Sequence, residues 1–134
     1  MKKTYKGSCH CGKVRFEAAL DLSAGTVKCN CSICAKQRSW LVAASPADVR
    51  LLSGESELAD YQFGARRIHH RFCRTCGVRP FGQANVGDSA GGFYAVNLAA
   101  LDDVDPAELA AAPVMYVDGR HDKFESPPAE TRHL

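Results

Sequence analysis

Residues 9–11 read Cys-His-Cys, residues 29–34 read Cys-Asn-Cys-Ser-Ile-Cys and residues 73–76 read Cys-Arg-Thr-Cys. These segments contain all seven cysteines of the chain. In an extended chain residues i and i+2 point to the same face, so a Cys-x-Cys pair can bind one metal ion through Zn–S bonds of about 2.3 Å. A Cys-x-x-Cys pair needs a chain reversal, which Gly77 favours. Each segment is therefore a candidate metal-binding motif rather than a set of buried small hydrophobic residues.

Seven thiolates divide most simply into a set of four and a set of three. The middle segment can hold one metal ion alone, and we call its cysteines the trio: Cys29, Cys31 and Cys34. The outer pairs then form a second site that cross-links the first strand to a late hairpin, and we call them the quartet: Cys9, Cys11, Cys73 and Cys76. An alternative partition joins Cys29 and Cys31 to Cys73 and Cys76 and leaves the other cysteines outside that site.

The two sets differ in how many coordination positions they leave open. Four thiolates saturate a tetrahedral Zn²⁺ ion, so the quartet is predicted to be structural, whereas three protein ligands leave a position for water or substrate. His69 and His70 are the nearest candidates for a fourth ligand of the trio. If neither binds, the trio is a soft, anionic centre that favours an external thiolate. This pattern predicts a thiol substrate.

Length and charge set the class of protein. At 134 residues with 46% hydrophobic content, the sequence predicts one domain over residues 1–134, with its core at about residues 5–125 and a tail over 126–134 that is extended or frayed. Seventeen basic residues against fifteen acidic ones argue against a nucleic-acid partner. No run approaches the roughly 18 apolar residues of a membrane span. The odd number of cysteines and the absence of an export signal predict a soluble, cytoplasmic protein with reduced thiols.

Short apolar or alternating segments between glycines predict a mainly β fold. The predicted strands cover residues 14–20, 26–29, 40–44, 49–52, 58–63, 68–72, 93–98 and 114–117. Turn signals between them come from Gly7, Gly12, Gly25, Gly54, Gly64, Gly77, Gly87, Gly91 and Gly92. A helix is predicted over residues 105–111, with Asp105 as N-cap and Pro106 at its first position, and a shorter helical turn is predicted to start at Ser32.

Three motifs together carry a family resemblance. They read Gly7-Ser8-Cys9-His10-Cys11-Gly12, then Cys29-Asn30-Cys31-Ser32-Ile33-Cys34, then Phe72-Cys73-Arg74-Thr75-Cys76-Gly77-Val78. In this order and spacing they resemble the glutathione-dependent formaldehyde-activating enzyme family, which includes centromere-protein-V-like proteins. The resemblance spans residue 5 to about residue 125. It implies an Mss4-like β-tent with few short helices, in which the quartet holds a structural zinc and the trio a catalytic one.

The same resemblance implies a carbon–sulfur lyase activity, the condensation of formaldehyde with glutathione to S-hydroxymethylglutathione. A thiolate held at the trio would attack the aldehyde, since a coordinated thiol loses its proton near neutral pH. The developing alkoxide would need a hydrogen-bond donor, for which the sequence offers Arg38, Arg66, Arg67, His69 and His70. The alternative function is a non-catalytic zinc-binding β-module that carries a thiol ligand or binds a protein partner.

Four further features have a predicted structural role. His10 lies between two ligands and is expected to point away from the metal they share. Trp40 is expected in the core or in a pocket wall. The basic segment 66–71 is interpreted as a strand with one solvated face, with the carboxylates of an anionic thiol as the alternative. Residues 119–123 are interpreted as a turn, with a place in the pocket as the alternative.

Overall fold

The computed structural model describes residues 1–84 and 92–134. Two short helices, α1 and α2, cover Ser32–Gln37 and Pro106–Ala111. The strands β1 to β10 cover Lys3–Ser8, Arg15–Leu20, Thr26–Cys29, Leu41–Ala44, Val49–Ser53, Leu58–Tyr61, Ile68–Cys73, Phe81–Ala84, Tyr94–Asn97 and Val114–Val117. Single 3-10 turns lie at Leu22–Ala24, Pro46–Asp48, Glu55–Glu57, Leu98–Ala100 and Gly119–His121. The predicted mainly β class is confirmed, and the arrangement is consistent with the Mss4-like fold.

The strands form two sheets. A three-stranded sheet has the order β1-β2-β5, and a seven-stranded sheet has the order β10-β3-β4-β9-β8-β7-β6. All pairings are antiparallel except that of β10 with β3. The turn after β1 carries the first two cysteines of the quartet, and the end of β7 carries the third, Cys73. The two sheets thus bring together ligands that are distant in sequence.

Apolar side chains from both sheets meet in one core. Phe16 and Val14, in and just before β2, are fully buried, as are Val96 in β9 and Leu98 directly after it. Phe16 packs edge-on against Phe81, with ring centroids 5.6 Å apart, and this geometry is favourable for aromatic pairs. Along β2 every second residue is buried, as expected for a strand with one face toward the core. This packing holds β8, and with it the residues around the trio, against the small sheet.

All the predicted strands are present within a few residues, and the predicted helix 105–111 is confirmed as α2. The Asp105 side chain accepts a hydrogen bond from the backbone N–H of Ala107 at 2.8 Å, as expected for an N-cap. The turn predicted at Ser32 is α1. The predicted strand 58–63 ends earlier, at Tyr61, because the chain turns through Gly64 and Arg66, both at positive φ. Gly87 and Gly91 lie outside the described residues.

Two strands were not predicted from the sequence. In β1 only Tyr5 and Gly7 face inward, and the rest of the segment is polar and exposed, so its apolar signal is weak. In β8 the second residue is Gly82, and a glycine inside a strand usually weakens the pattern. Residues 126–134 contain no strand or helix, and the carbonyl oxygen of Leu134 accepts a hydrogen bond from Lys28 Nζ at 3.3 Å. Within residues 1–84 and 92–134, no helix is both long and apolar enough to span a membrane.

We expect the substitution Gly7→Ala to lower the free energy of unfolding by about 1–3 kcal/mol, because it overpacks the core. A Cβ at this position would lie 2.3 Å from Cζ of Phe16 and 2.9 Å from the carbonyl oxygen of Ala100. Urea denaturation of the zinc-loaded protein measures the change. Ala43→Ser, at an exposed position of β4, is the control and should change stability by less than about 0.5 kcal/mol. Equal effects of the two substitutions would contradict the close packing of β1 on β2.

Candidate metal centres

Two hairpin turns bring the quartet together. The first follows β1, where the Cys9 N–H donates to the Val14 carbonyl oxygen at 3.0 Å, and the second follows β7, where the Gly77 N–H donates to the Cys73 carbonyl oxygen at 2.7 Å. Gly12 and Gly77 have φ values of +80° and +81°, which glycine adopts without strain. The quartet sulfurs all lie within 4.8 Å of one another. They form one compact group of four donors.

The sulfur separations in the quartet match those of a tetrahedral zinc site. The Sγ atoms of Cys9 and Cys11 are 3.6 Å apart, and those of Cys11 and Cys73 are 3.7 Å apart. Four Zn–S bonds of about 2.3 Å in tetrahedral geometry place the sulfurs about 3.8 Å apart. Hydrogen bonds from the backbone N–H groups of Val78 and Cys11 lower the pKa of Cys76 to about 6. Cys76 is therefore ready to bind a metal ion as a thiolate.

The trio is formed by one strand end and the helix that follows it. Cys29 ends β3, Cys31 is the N-cap of α1, and Cys34 lies within α1. The three sulfurs lie within 4.8 Å of one another. Hydrogen bonds from the Cys29 and Cys34 thiols, and then from the backbone N–H groups of Cys34 and Ile33, hold the pKa of Cys31 far below its usual range. The trio is consequently an anionic group of soft donors, as expected from its spacing.

The structure places the quartet and the trio in separate groups. The alternative partition does not occur, because Cys29 and Cys31 lie together with Cys34 rather than with Cys73 and Cys76. Among the described residues, no histidine nitrogen or carboxylate oxygen joins the trio within the same distance limit. His69 and His70, the predicted candidates for a fourth ligand, are therefore not part of the group. All seven cysteines are free thiols.

The loop after β10 packs against the trio. The Asn30 side chain fixes this loop: its Nδ2 donates to Asp118 Oδ1 at 2.9 Å, and its Oδ1 accepts from the backbone N–H of Arg120 at 3.0 Å. Gly119 lies so close that a Cβ there would be 2.5 Å from Cys29 Sγ and 3.2 Å from Cys31 Cβ. The predicted turn at 119–123 is confirmed as a 3-10 turn, and it forms part of the site.

The two neighbouring histidines have different environments. His69 Nδ1 pairs with Asp60 Oδ2 at 2.7 Å and is partly exposed. His70 is 8% exposed and stacks on Phe63 with ring centroids 5.4 Å apart. Burial first, and then the charge of Arg79, lower the pKa of His70, while the charge of Cys31 acts in the opposite direction. His70 is thus a neutral imidazole within electrostatic reach of the trio.

Arg79 is a residue near the trio that sequence reasoning missed. Its side chain is buried, and Nη1 donates to Gln37 Oε1 of α1 at 2.8 Å. The pKa of Arg79 is lowered by burial, and the charges of Cys34 and Cys31 oppose that shift. Nothing in the local sequence marks this arginine as buried, because its position depends on the packing of β8 against α1.

The remaining candidates lie at the surface or in the cavity wall. His10 is exposed, as are Arg38, Arg66 and Arg67. Trp40 packs against the core, and its Nε1 donates to Thr26 Oγ1 at 2.8 Å. Trp40 also lines a cavity beside α1, so the prediction of a core or wall position is confirmed.

The sequence profile of the glutathione-dependent formaldehyde-activating enzyme family matches residues 4–118. This chain belongs to that family. The chain is also similar to a protein of Rhodobacter sphaeroides whose crystal structure is known, with 37% sequence identity and a TM-score of 0.69. That similarity covers 82% of this chain and 99% of the Rhodobacter chain. The resemblance predicted from the three cysteine motifs is therefore confirmed.

Zinc is the metal bound by the glutathione-dependent formaldehyde-activating enzyme family, and the donor sets of this chain fit it. Thiolates are soft ligands that bind Zn²⁺ well, and the quartet sulfurs have the separations that a tetrahedral site requires. The trio offers three thiols in a group of the same size. The cysteine clusters of this family member can thus bind zinc.

We expect Gly119→Ala to weaken zinc binding at the trio by about 10- to 100-fold, the usual range for changes that displace a ligand from outside the coordination sphere. The added Cβ would push Cys29 Sγ away from the other two sulfurs. Competition with a chromophoric chelator measures the affinity of each zinc ion. The quartet of the same molecule is the internal control, and its zinc should remain bound. Unchanged affinity of the weaker zinc would contradict this contact.

Proposed function

We propose that this chain is a zinc-dependent enzyme of the carbon–sulfur lyase type that joins a thiol, glutathione or a similar molecule, to an aldehyde such as formaldehyde. In this proposal the quartet holds a structural zinc and the trio holds the zinc of the reactive site. The observation that supports it most is the grouping of the cysteines, because one group supplies four thiols and the other only three. Four ligands complete a tetrahedral zinc, and three leave one position for a substrate.

The reaction needs a thiolate, an aldehyde and a proton for the product oxygen. Zinc bound by the trio would supply Lewis acidity that lowers the pKa of a substrate thiol. The sulfur forms a bond to the aldehyde carbon while the carbon–oxygen π bond opens, and the oxygen takes a proton to give a hemithioacetal. The turn at Gly119–His121 and helix α1 flank the trio on two sides. Together they restrict the directions from which a thiol can approach.

We assign His70 as the hydrogen-bond donor to the developing alkoxide. Of the donors that the sequence offered, His69 is engaged with Asp60, and Arg66 and Arg67 are exposed. His70 Nδ1 is buried without a hydrogen-bond partner among the described residues. A buried polar atom without a partner is costly, and a ligand that accepts from it removes that cost. The neutral state of His70 suits hydrogen-bond donation from one ring nitrogen.

The broader assignments of the protein are also proposals. We propose one domain over residues 1–134, with small-molecule partners and no nucleic-acid or membrane partner. A cytoplasmic location follows from the chemistry of the site, because both cysteine groups must stay reduced to bind zinc. The near balance of basic and acidic residues supports a small-molecule partner over nucleic acid.

We expect Cys31→Ser to remove thiol-dependent aldehyde consumption and one of two zinc ions per chain. Serine keeps the shape of cysteine but does not supply a thiolate. The rate of hemithioacetal formation, followed by NMR exchange with isotope-labelled formaldehyde and glutathione, is compared with the rate without protein. Ser32→Ala, at an exposed neighbouring position, is the control and should retain both activity and zinc. Equal rates for the wild type and Cys31→Ser would sink the enzymatic proposal and favour a non-catalytic zinc module.

We expect His70→Gln to lower kcat by about 10²-fold or more, the usual contribution of a positioned acid–base group. His69→Gln is the matched control, because it changes the adjacent imidazole, which pairs with Asp60. The zinc content of both variants should equal that of the wild type, which separates a catalytic effect from loss of the site. If His69→Gln and His70→Gln reduce kcat equally, the role assigned to His70 is wrong.

A further inference from the structure

A cavity of about 370 Å³ lies beside the trio. Helix α1, which carries Cys34, and the start of β4 form part of its wall. Its lining includes three residues with cationic side chains and three with polar or aromatic ones: Lys28, Arg38, Arg79, Gln37, Trp40 and Asn97. Lys28 directly precedes Cys29 in the chain. The cavity and the trio therefore share the same two segments of backbone.

The charges around this cavity have one sign. Lys28, Arg38 and Arg79 are positive, and no aspartate or glutamate belongs to the described lining. Lys28 Nζ lies 5.2 Å from the centre of the Trp40 ring, within the range of a cation–π contact. Three cations around one small space repel each other, and an anion inside that space would reduce the repulsion.

Arg79 has few partners of its own. Gln37 Oε1 is the side-chain acceptor that its guanidinium contacts within the described part of the chain, and Nε is buried without a partner there. A buried charge is stable when it is paired with an opposite charge and its hydrogen bonds are satisfied. The nearest anions of the chain are the thiolates of the trio, which act on Arg79 from a distance. The guanidinium thus has donors left for a ligand.

The surrounding residues hold Arg79 in place. Asn97 Nδ2 donates to the backbone carbonyl oxygen of Arg79 at 2.8 Å. Gly82 leaves space for the guanidinium, because a Cβ there would lie 2.5 Å from Nη2. The missing side chain in the middle of β8 is thus explained by the room that Arg79 needs. A fixed guanidinium suits a carboxylate, which it can bind through two parallel hydrogen bonds.

We propose that this cavity binds a carboxylate group of the substrate, with Arg79, Arg38 and Lys28 as the residues that select an anionic thiol over a neutral one. The basic segment 66–71 was the sequence-based alternative for this role, but Arg66 and Arg67 are exposed and do not line the cavity. That the ligand is a thiol rests on the proposed function. That the cavity binds a carboxylate does not.

Binding is tested first without any reaction. Trp40 is the one tryptophan of the chain and lines the cavity, so its fluorescence reports on a bound ligand. The zinc-loaded protein is titrated with succinate and with succinamide, which has a similar shape but no charge. We expect saturable binding of succinate and a Kd at least tenfold weaker for succinamide. Arg79→Gln and Arg38→Gln should each remove this preference, and Arg67→Gln, an exposed arginine outside the cavity, should keep it.

Turnover supplies the second test. The values of kcat/KM with formaldehyde are compared for 3-mercaptopropionate, which carries a carboxylate, and 2-mercaptoethanol, which does not. In Arg38→Gln, at an exposed position where folding is not at risk, the preference for 3-mercaptopropionate should fall about tenfold through KM, with 2-mercaptoethanol unaffected.

Each outcome decides one of the two proposals. Equal binding of succinate and succinamide, or an equal effect of Arg67→Gln and Arg38→Gln, overturns the carboxylate site. Selective binding of succinate without turnover of either thiol keeps the carboxylate site and overturns the proposed enzymatic function.

Discussion

The contact between the sulfurs of Cys11 and Cys73, 62 residues apart in the chain, connects the two sheets of the molecule. Closing a segment of this length costs about 3–4 kcal/mol in the part of the chain entropy that grows with length. Binding of a structural zinc by thiolates supplies about 10–16 kcal/mol at neutral pH. Metal binding therefore outweighs the closure cost several times over. The turn after β1 and the hairpin β7–β8 are fixed relative to each other by the quartet as much as by the core.

The trio has a different relation to the fold. Its ligands come from six consecutive residues, so binding a metal there closes almost no chain. Cys29 and Cys34 belong to a small buried cluster with Val117, separate from the main core that contains Cys9 and Cys73. A site that exchanges a ligand in each reaction cycle changes its coordination repeatedly. Placing it in a local, peripheral cluster allows that exchange without loosening the two sheets.

Local sequence signals predicted most of the fold and both cysteine groups. Strands with β-branched or alternating residues were found, and α2 was found because Asp105 and Pro106 mark its start. The strand β8 was missed because Gly82 interrupts its pattern, and that glycine is explained only by the Arg79 side chain packed against it. The separation of quartet from trio could be predicted because each ligand set is encoded by spacing. Asn30, Asp118 and Arg79 could not, because their roles depend on contacts between segments about 40 or 90 residues apart.

Charge balance links the trio, His70 and Arg79 into one argument about the ligand. Three thiolates around a divalent metal leave a net negative charge, which one buried guanidinium nearby offsets. That guanidinium also holds His70 in its neutral form. An entering thiolate adds a further negative charge to the site, and Lys28 and Arg38 at the cavity wall are the remaining cations that can offset it. Because those two cations and Arg79 surround a cavity rather than the sulfurs, their charge acts on a part of the ligand other than its thiol. A ligand with a second anionic group at a distance from its sulfur satisfies both requirements, and a neutral thiol satisfies only one.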